Sequence, residues 1–282
     1  VFLNDTWIYN ADSAVWRQVE GSAPLARSQY AMAHDPTRGE VLLFGGYVGS
    51  SFTYGDTWVY SVDNESWRRL EPEVSPTARA GSVLVFDPEV DGFVMFAGAE
   101  EPPAAELPLA ETWLFDPETG EWSQLSTANV PRLVSEGHPT LFELAFVYDE
   151  AERRPVLLVA GESTWALQGG DWIEIDQAET QGLAADYMTA AAFHDGIGVI
   201  VAYGGAPVDR TQHTWVLAGD TWSSLAGSTP GPLANHAMAY DPHSDAVWLF
   251  GGAAAVLVLD GVPPINNTMW RLEGDDWVQV PR

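Results

Sequence analysis

Short apolar runs alternate with polar turns along the whole chain, and no stretch carries the periodicity of a helix. Residues 28–34 read as a first apolar strand, and 35–40 as a turn in which Asp35, Pro36 and Gly39 each suit the bend. Residues 41–44 are apolar throughout, as expected of a strand covered on both faces. Gly45-Gly46 ends that strand and lets backbones approach closely. After a loop, residues 56–60 form a third strand, 61–66 turn the chain, and 67–70 form a fourth. The same order returns four more times. First strands include 82–86, 144–148, 189–193 and 237–240, and second strands are 93–96, 156–159, 199–202 and 247–250. Their endings are Ala97-Gly98, Ala160-Gly161, Gly204-Gly205 and Gly251-Gly252.

Tryptophan marks the repeat. One series is Trp7, Trp58, Trp113, Trp165, Trp215 and Trp270; the other is Trp16, Trp67, Trp122, Trp172, Trp222 and Trp277. Of the 13 tryptophans only Trp248 stands outside both. Steps of 51, 55, 50, 50 and 55 residues separate the second series, a period that signals a repeat architecture. A single flat sheet cannot bury its faces alone, so stacked repeats must cover one another, with the large aromatics filling the gaps between them.

The Gly-Gly pair closing a second strand, followed by a loop and an aromatic pair on strands three and four, resembles the kelch family. Phe44-Gly45-Gly46 with Asp56-Thr57-Trp58 and Trp67 carries the likeness, as does Phe250-Gly251-Gly252 with Thr268, Trp270 and Trp277. The pattern departs where Ala97 and Ala160 replace the first glycine, and where the loop nearly vanishes at residues 161–165. The resemblance implies an all-β, six-bladed kelch-type β-propeller with an incomplete first blade: five full four-stranded blades plus an outer strand pair. One domain is expected over 1–282. Residues 1–22 would be the outer half of the incomplete blade, and 23–72, 73–128, 129–178, 179–228 and 229–282 the successive blades. The ending Val280-Pro281-Arg282 resembles the approach to another inner strand, as at residues 24–27 and 76–79, so a natural chain that continues past Arg282, or precedes Val1, with the two missing strands is expected. A half-blade otherwise leaves sheet edges open to pairing with another chain.

Composition narrows the partners. Arginine supplies all 12 basic residues against 40 acids, and the net charge is −28. Such a surface repels phosphate backbones and anionic membranes, so no nucleic-acid partner is expected. It fits salty surroundings, where screening weakens self-repulsion, and equally a GC-rich coding bias. No apolar run is long enough to span a bilayer, so no membrane insertion is expected. The absence of cysteine excludes disulfides and thiolate metal sites. It also excludes the cysteine-linked tyrosine that kelch-like copper oxidases use. No cofactor or metal is expected.

Candidate binding residues follow from the repeat. The links from strand two to strand three differ greatly in length, and dissimilar loops on a regular scaffold are where binding usually lives. Tyr47, Tyr54, Arg210 and His213 lie on these links. Just before the innermost strands stand Arg27, Arg79, Asp186 and Asn235-His236, and the longer third-repeat stretch offers Arg132, His138 and Glu143. Converging on a channel mouth, arginines, histidines and carboxylates would suit a carboxylate or polyol ligand. The competing reading of Arg27 and Arg79 is structural, as ties to acids and backbone carbonyls.

Catalytic signals are sparse. The six histidines are scattered over different repeats, and there is no Gly-x-Ser-x-Gly, His-Glu-x-x-His or phosphate loop. The leading expectation is a non-enzymatic binding module with a protein or glycan ligand, extracellular or at the cell surface. One alternative is a sugar-active enzyme resembling kelch-type sialic acid mutarotases, with Arg27, Arg79, Glu143, Asp186 and His236 as the available groups. Another is a structural propeller within a larger surface or assembly protein.

Overall fold

The computed structural model describes residues 2–49, 52–100, 108–135, 138–139, 144–159, 163–176, 189–204, 213–254 and 265–280. Among these residues every regular element is a strand. The chain divides into two compact units, the first ending at Leu141 and the second beginning at Phe142.

The first unit opens with a two-stranded sheet of β1 (Thr6–Asn10) and β2 (Val15–Val19). A four-stranded blade follows, made of β3 (Ala31–Asp35), β4 (Glu40–Phe44), β7 (Thr57–Ser61) and β8 (Ser66–Leu70). The link from β4 to β7 contains a small hairpin, β5 (Tyr47–Val48) with β6 (Phe52–Thr53), which the repeat pattern does not foretell. The next blade is β9 (Val83–Asp87), β10 (Gly92–Phe96), β11 (Thr112–Asp116) and β12 (Glu121–Leu125). A short pair, β13 (Val134–Ser135) and β14 (His138–Pro139), stands in the long link after it.

The second unit holds three blades. Their strands are β15 (Leu144–Asp149), β16 (Arg154–Val159), β17 (Ser163–Gln168) and β18 (Asp171–Asp176); β19 (Ala190–His194), β20 (Val199–Tyr203), β21 (Thr214–Ala218) and β22 (Thr221–Leu225); β23 (Leu233–Asp241), β24 (Ala246–Ala254), β25 (Met269–Glu273) and β26 (Asp276–Val280). Every blade is an antiparallel meander in chain order. The shortened repeat keeps its place, with a register shift between β17 and β18 at Thr164 and Trp165.

The core lies between blades. Leu42, Phe44 and Val59 of one blade pack on Leu84, Phe86 and Met95 of the next. Val156 and Leu158 likewise meet Phe193, Ile200 and Trp222, and Tyr203 meets Leu249 and Trp277. Second strands are therefore apolar on both faces: β10 and β16 are buried at every residue.

The second tryptophan series links neighbouring blades by hydrogen bonds as well as area. Trp67 Nε1 donates to Thr6 Oγ1 (2.9 Å), Trp122 to Thr57 (3.0 Å), Trp222 to Thr164 (2.9 Å) and Trp277 to Thr214 (2.8 Å). Each acceptor sits on the third strand of the preceding repeat. A buried indole N–H needs such a partner, and the threonine supplies it without interrupting the strand. The double glycine has an equally local reason. Gly46 has φ +97°, and a Cβ there would lie 2.8 Å from the Ser28 carbonyl oxygen. At Gly45 it would lie 2.4 Å from the carbonyl oxygen of Arg79 in the next blade.

Candidate functional site

The first tryptophan series anchors the loops. Five of its indole N–H groups reach back two residues: Trp7 to Asp5 (2.6 Å), Trp58 to Asp56 (2.7 Å), Trp113 to Glu111 (3.0 Å), Trp165 to Ser163 (2.8 Å) and Trp270 to Thr268 (3.0 Å). In two blades the acid of this pair also receives an arginine. Arg27 grips Asp56 with two parallel bonds, Nη1 to Oδ1 at 2.6 Å and Nη2 to Oδ2 at 2.9 Å. Its remaining donors reach the Leu25 and Gly45 carbonyls, both at 2.9 Å. Arg79 repeats the arrangement on Glu111 (2.8 Å), with the Thr77 and Ala97 carbonyls and the Thr77 hydroxyl as further acceptors.

Burial pushes the Asp56 carboxyl up, but the hydrogen bonds from Arg27 and Trp58 outweigh it and hold the group below its usual range. Glu111 is lowered in the same way, burial being overcome by Trp113 and Arg79. Both guanidiniums are buried and engaged within their own blades.

The loop around Arg27 is woven into two blades. Tyr47 and Ser28 exchange backbone hydrogen bonds, Tyr54 N donates to Gly46 O, and Arg79 N donates to Tyr54 O. The Tyr54 ring lies under the Arg27 guanidinium, 4.1 Å from Cζ to centroid. Tyr47 packs edge-on against Phe2 (5.7 Å) and Tyr54 against Phe52 (5.0 Å). Phe52 itself projects to solvent, 59% exposed. Arg27, Tyr54 and Arg79 are thus brought together. Arg132 is exposed on the segment leading to β13, and His138 lies in β14.

In the second unit His213 is exposed, with its ring 6.3 Å from that of Trp215. Asn235 is exposed in the left-handed region (φ 59°), and His236 turns inward beside it. His236 Nε2 lies 2.9 Å from the Tyr203 carbonyl oxygen. A carbonyl only accepts, so Nε2 carries the proton and Nδ1 is bare. Nδ1 is buried without a partner among the described residues. Burial lowers the imidazole to about 4, against the opposing pull of the Tyr203 carbonyl. Tyr203 is pushed up to about 12 by burial, and its hydroxyl donates to Gly231 O at 2.6 Å. Glu143, Asp186 and Arg210 lie outside the described residues. Among those described, no group of three or more His, Asp or Glu is placed to hold a metal ion, and no helix is long and apolar enough to cross a membrane.

The acids that hold the arginines were missed by sequence reasoning, although the signal was present. Asp5-Thr6-Trp7, Asp56-Thr57-Trp58 and Glu111-Thr112-Trp113 repeat an acid, a threonine and a tryptophan in fixed order. The acid takes the indole of its own strand. Thr6 and Thr57 take the indole of the next repeat.

Four-stranded antiparallel meanders repeated along one chain, packed face to face and closed by glycine pairs, define a β-propeller. A family model, the KLHDC2/KLHL20/DRC7 Kelch-repeats domain, matches residues 1–147. The chain belongs to the kelch-repeat family. Among curated proteins it is 33% identical over 81 residues to the flagellar outer-arm dynein alpha chain of Chlamydomonas reinhardtii. That match takes in 27% of this chain and 2% of the relative. It is 25% identical over 135 residues to Mei4-dependent protein 6 of Schizosaccharomyces pombe, covering 44% of this chain and 19% of that protein. The chain therefore spans a small part of the length of these relatives. A solved structure of YjhT is similar across 98% of this chain and 90% of its own, with a TM-score of 0.68 and 14% identity, a likeness of fold.

Proposed function

We propose that the protein is a non-enzymatic binding module that recognises a protein or glycan through the links between second and third strands, and that it acts outside the cell. The observation that carries this reading is the β5–β6 hairpin. Its backbone is tied into two blades while Phe52 stands 59% exposed at its tip. An exposed aromatic on a rigid base loses little conformational entropy on contact, which is what a recognition surface needs. Membership of the kelch family supports it, since kelch propellers commonly bind proteins. The engagement of Arg27 and Arg79 inside their blades supports binding over catalysis, because neither guanidinium is left free for a substrate carboxylate. The charge of −28 supports a partner other than nucleic acid.

We further propose that residues 1–282 form a single propeller domain with six blade positions, β1 and β2 being the outer half of an incomplete first blade. Trp7 and Trp16 stand where every full repeat has its third- and fourth-strand tryptophans, and the Trp67–Thr6 bond repeats the link seen between full blades.

The test compares the intact chain with Phe52→Ser, Tyr47→Ala and Arg210→Ala variants on a glycan array and in quantitative capture from an extracellular fraction. The expected result is a ligand held by the parent and weakened in the variants at unchanged melting midpoint. A ligand bound equally by all three variants overturns the loop-face reading. Faster anomeric exchange of a sialic acid, followed by NMR and abolished by Glu143→Gln, would favour the sugar-active alternative instead.

A further inference from the structure

Four blades end their first strand on an aspartate in the same register: Asp35 opposite Glu40, Asp87 opposite Gly92, Asp149 opposite Arg154 and Asp241 opposite Ala246. Each carboxylate takes the N–H two residues on, at Thr37, Glu89, Ala151 and His243, and so caps its turn. In the blade of β19 to β22, His194 holds that place, opposite Val199. Its side of the strand faces the next blade. Phe193 packs on Ala145 and Val147 of β15, whereas Ala192 packs on Val247 and Leu249 of β24. His194 is 8% exposed, and its Nδ1 is buried without a hydrogen-bond partner.

Asp245 lies across from it, with Oδ1 3.8 Å from Nδ1, too far for a hydrogen bond. Asp245 precedes β24 in the left-handed region (φ 49°), as Asp91 precedes β10 (φ 50°). Asp91 is held from the preceding blade by both Nη atoms of Arg38, each at 2.7 Å. Arg154 likewise reaches Asp220 of the following blade. Arginine keeps its charge at every ordinary pH. At the β19–β23 junction a histidine takes the arginine's part. Around it stand Asp195 of its own turn and Tyr240 of β23, whose hydroxyl donates to Asp245 Oδ1 at 2.8 Å. Asp241, at the start of the same turn as Asp245, is taken up by the His243 and Ser244 N–H groups and the Ser244 hydroxyl. The other end of this junction holds His236, against Tyr203 of β20 and opposite Gly251, where the link from β24 to β25 begins. No charged group faces His236 among the described residues, and its Nδ1 is bare as well.

We propose that the β19–β23 junction is an acid-responsive joint: a second proton on His194 ties its turn end to Asp245, while a second proton on His236 frees its link end and loosens the start of the β24–β25 link. A doubly protonated imidazole carries N–H on both nitrogens. At His194 the new donor points at a carboxylate across the junction, and the two close into a charge-assisted bond. At His236 the new donor meets no acceptor in a dry site, so the proton is taken up as the segment opens. Burial lowers His236 to about 4. Between the ordinary value near 6.5 and about 4, the open segment therefore binds a proton that the closed one refuses. The two ends respond in opposite senses because one histidine faces a carboxylate and the other a carbonyl that is already engaged.

Hydrogen–deuterium exchange of the intact chain at about pH 7 and 5 tests the joint, since that interval spans the range in which an imidazole in water takes its second proton. Protection factors, which remove the intrinsic effect of pH on exchange, are compared at its two ends. At the turn end, the amides of Gly196, Gly198, His243 and Ser244 should gain about threefold protection in acid, the size of a partly exposed ion pair. At the link end, the amides of 234–237 and Gly251 should lose about tenfold. Asp245→Asn should cancel the gain and leave the loss, because asparagine tolerates the left-handed turn and still accepts from Tyr240. His194→Gln is a second route to the same result. His236→Gln should cancel the loss and leave the gain. A turn-end gain that survives in both Asp245→Asn and His194→Gln overturns the proposal. So does a link-end loss that survives in His236→Gln, a change of the same sign at both ends, or an end that does not respond to acid.

Discussion

Arg79 and His236 stood as equal candidates at the channel mouth, and their surroundings give them opposite characters. Arg79 is buried with acceptors for both its charge and its geometry. Changing it to methionine leaves the Ala97 and Thr77 oxygens without their donor and Glu111 without its cation. The expected loss is about 3 kcal/mol, read from urea denaturation at pH 7. Arg79→Lys should recover little of it, because a point charge cannot reproduce the fork. His236 is buried neutral, with its folded pKa lowered to about 4. Between the ordinary value near 6.5 and about 4 the unfolded chain binds a proton that the folded chain does not. Its contribution is therefore complete above about pH 6.5 and falls away as pH drops towards 4, by about 3 kcal/mol in total. Unfolding free energies measured between pH 7 and 4 should show this slope in the parent and lose it in His236→Gln. An equal slope in both would assign the acid sensitivity to carboxylates instead.

At the scale of the element, the threonines that accept indole protons are small residues with a large lever. Thr164→Val keeps the volume and removes the acceptor, so Trp222 Nε1 is left buried and unpaired. A loss of about 2 kcal/mol is expected in denaturant melts. Thr6→Val should cost well under half as much, since Trp67 beside the two-stranded sheet is only half-buried and water can replace the hydroxyl. Equal effects would mean that the two positions are equally dry. The strands themselves were legible in the sequence, because an apolar run such as 93–96 is too short for a helix, is bounded by turn residues and recurs at the same place in every repeat. The β5–β6 hairpin was not. Its register depends on Ser28 and Arg79, which approach from other parts of the chain.

For the whole molecule, charge is the dominant global term. Forty acids against 12 arginines crowd a surface whose interior is apolar. Raising salt from about 0.15 to 1 M shortens the screening length from ~8 to ~3 Å and relieves that repulsion. The pairs that matter most to the fold, such as Arg27–Asp56, are shielded from solvent and little affected by salt. The melting midpoint should therefore rise with sodium chloride at pH 7. A steady fall would show that exposed pairs such as Arg17–Glu65 outweigh net repulsion.

Sequence alone determined the repeat, its four-strand order, the two tryptophan series and the two-strand opening, because each is written in spacing and composition that local chemistry enforces. It also determined that the arginines before the first strands sit in equivalent positions. Only the tertiary structure decided their use. Whether Arg27 meets a ligand or Asp56 depends on an acid 29 residues away, and whether His236 is charged depends on how dry the space around Tyr203 is. The same holds for β3, where the exposure of Met32 is set by what packs on the strand and not by the residue itself. Spacing fixes which strands form. Desolvation and partner choice arise between segments distant in the chain, so they appear only when the chain is folded.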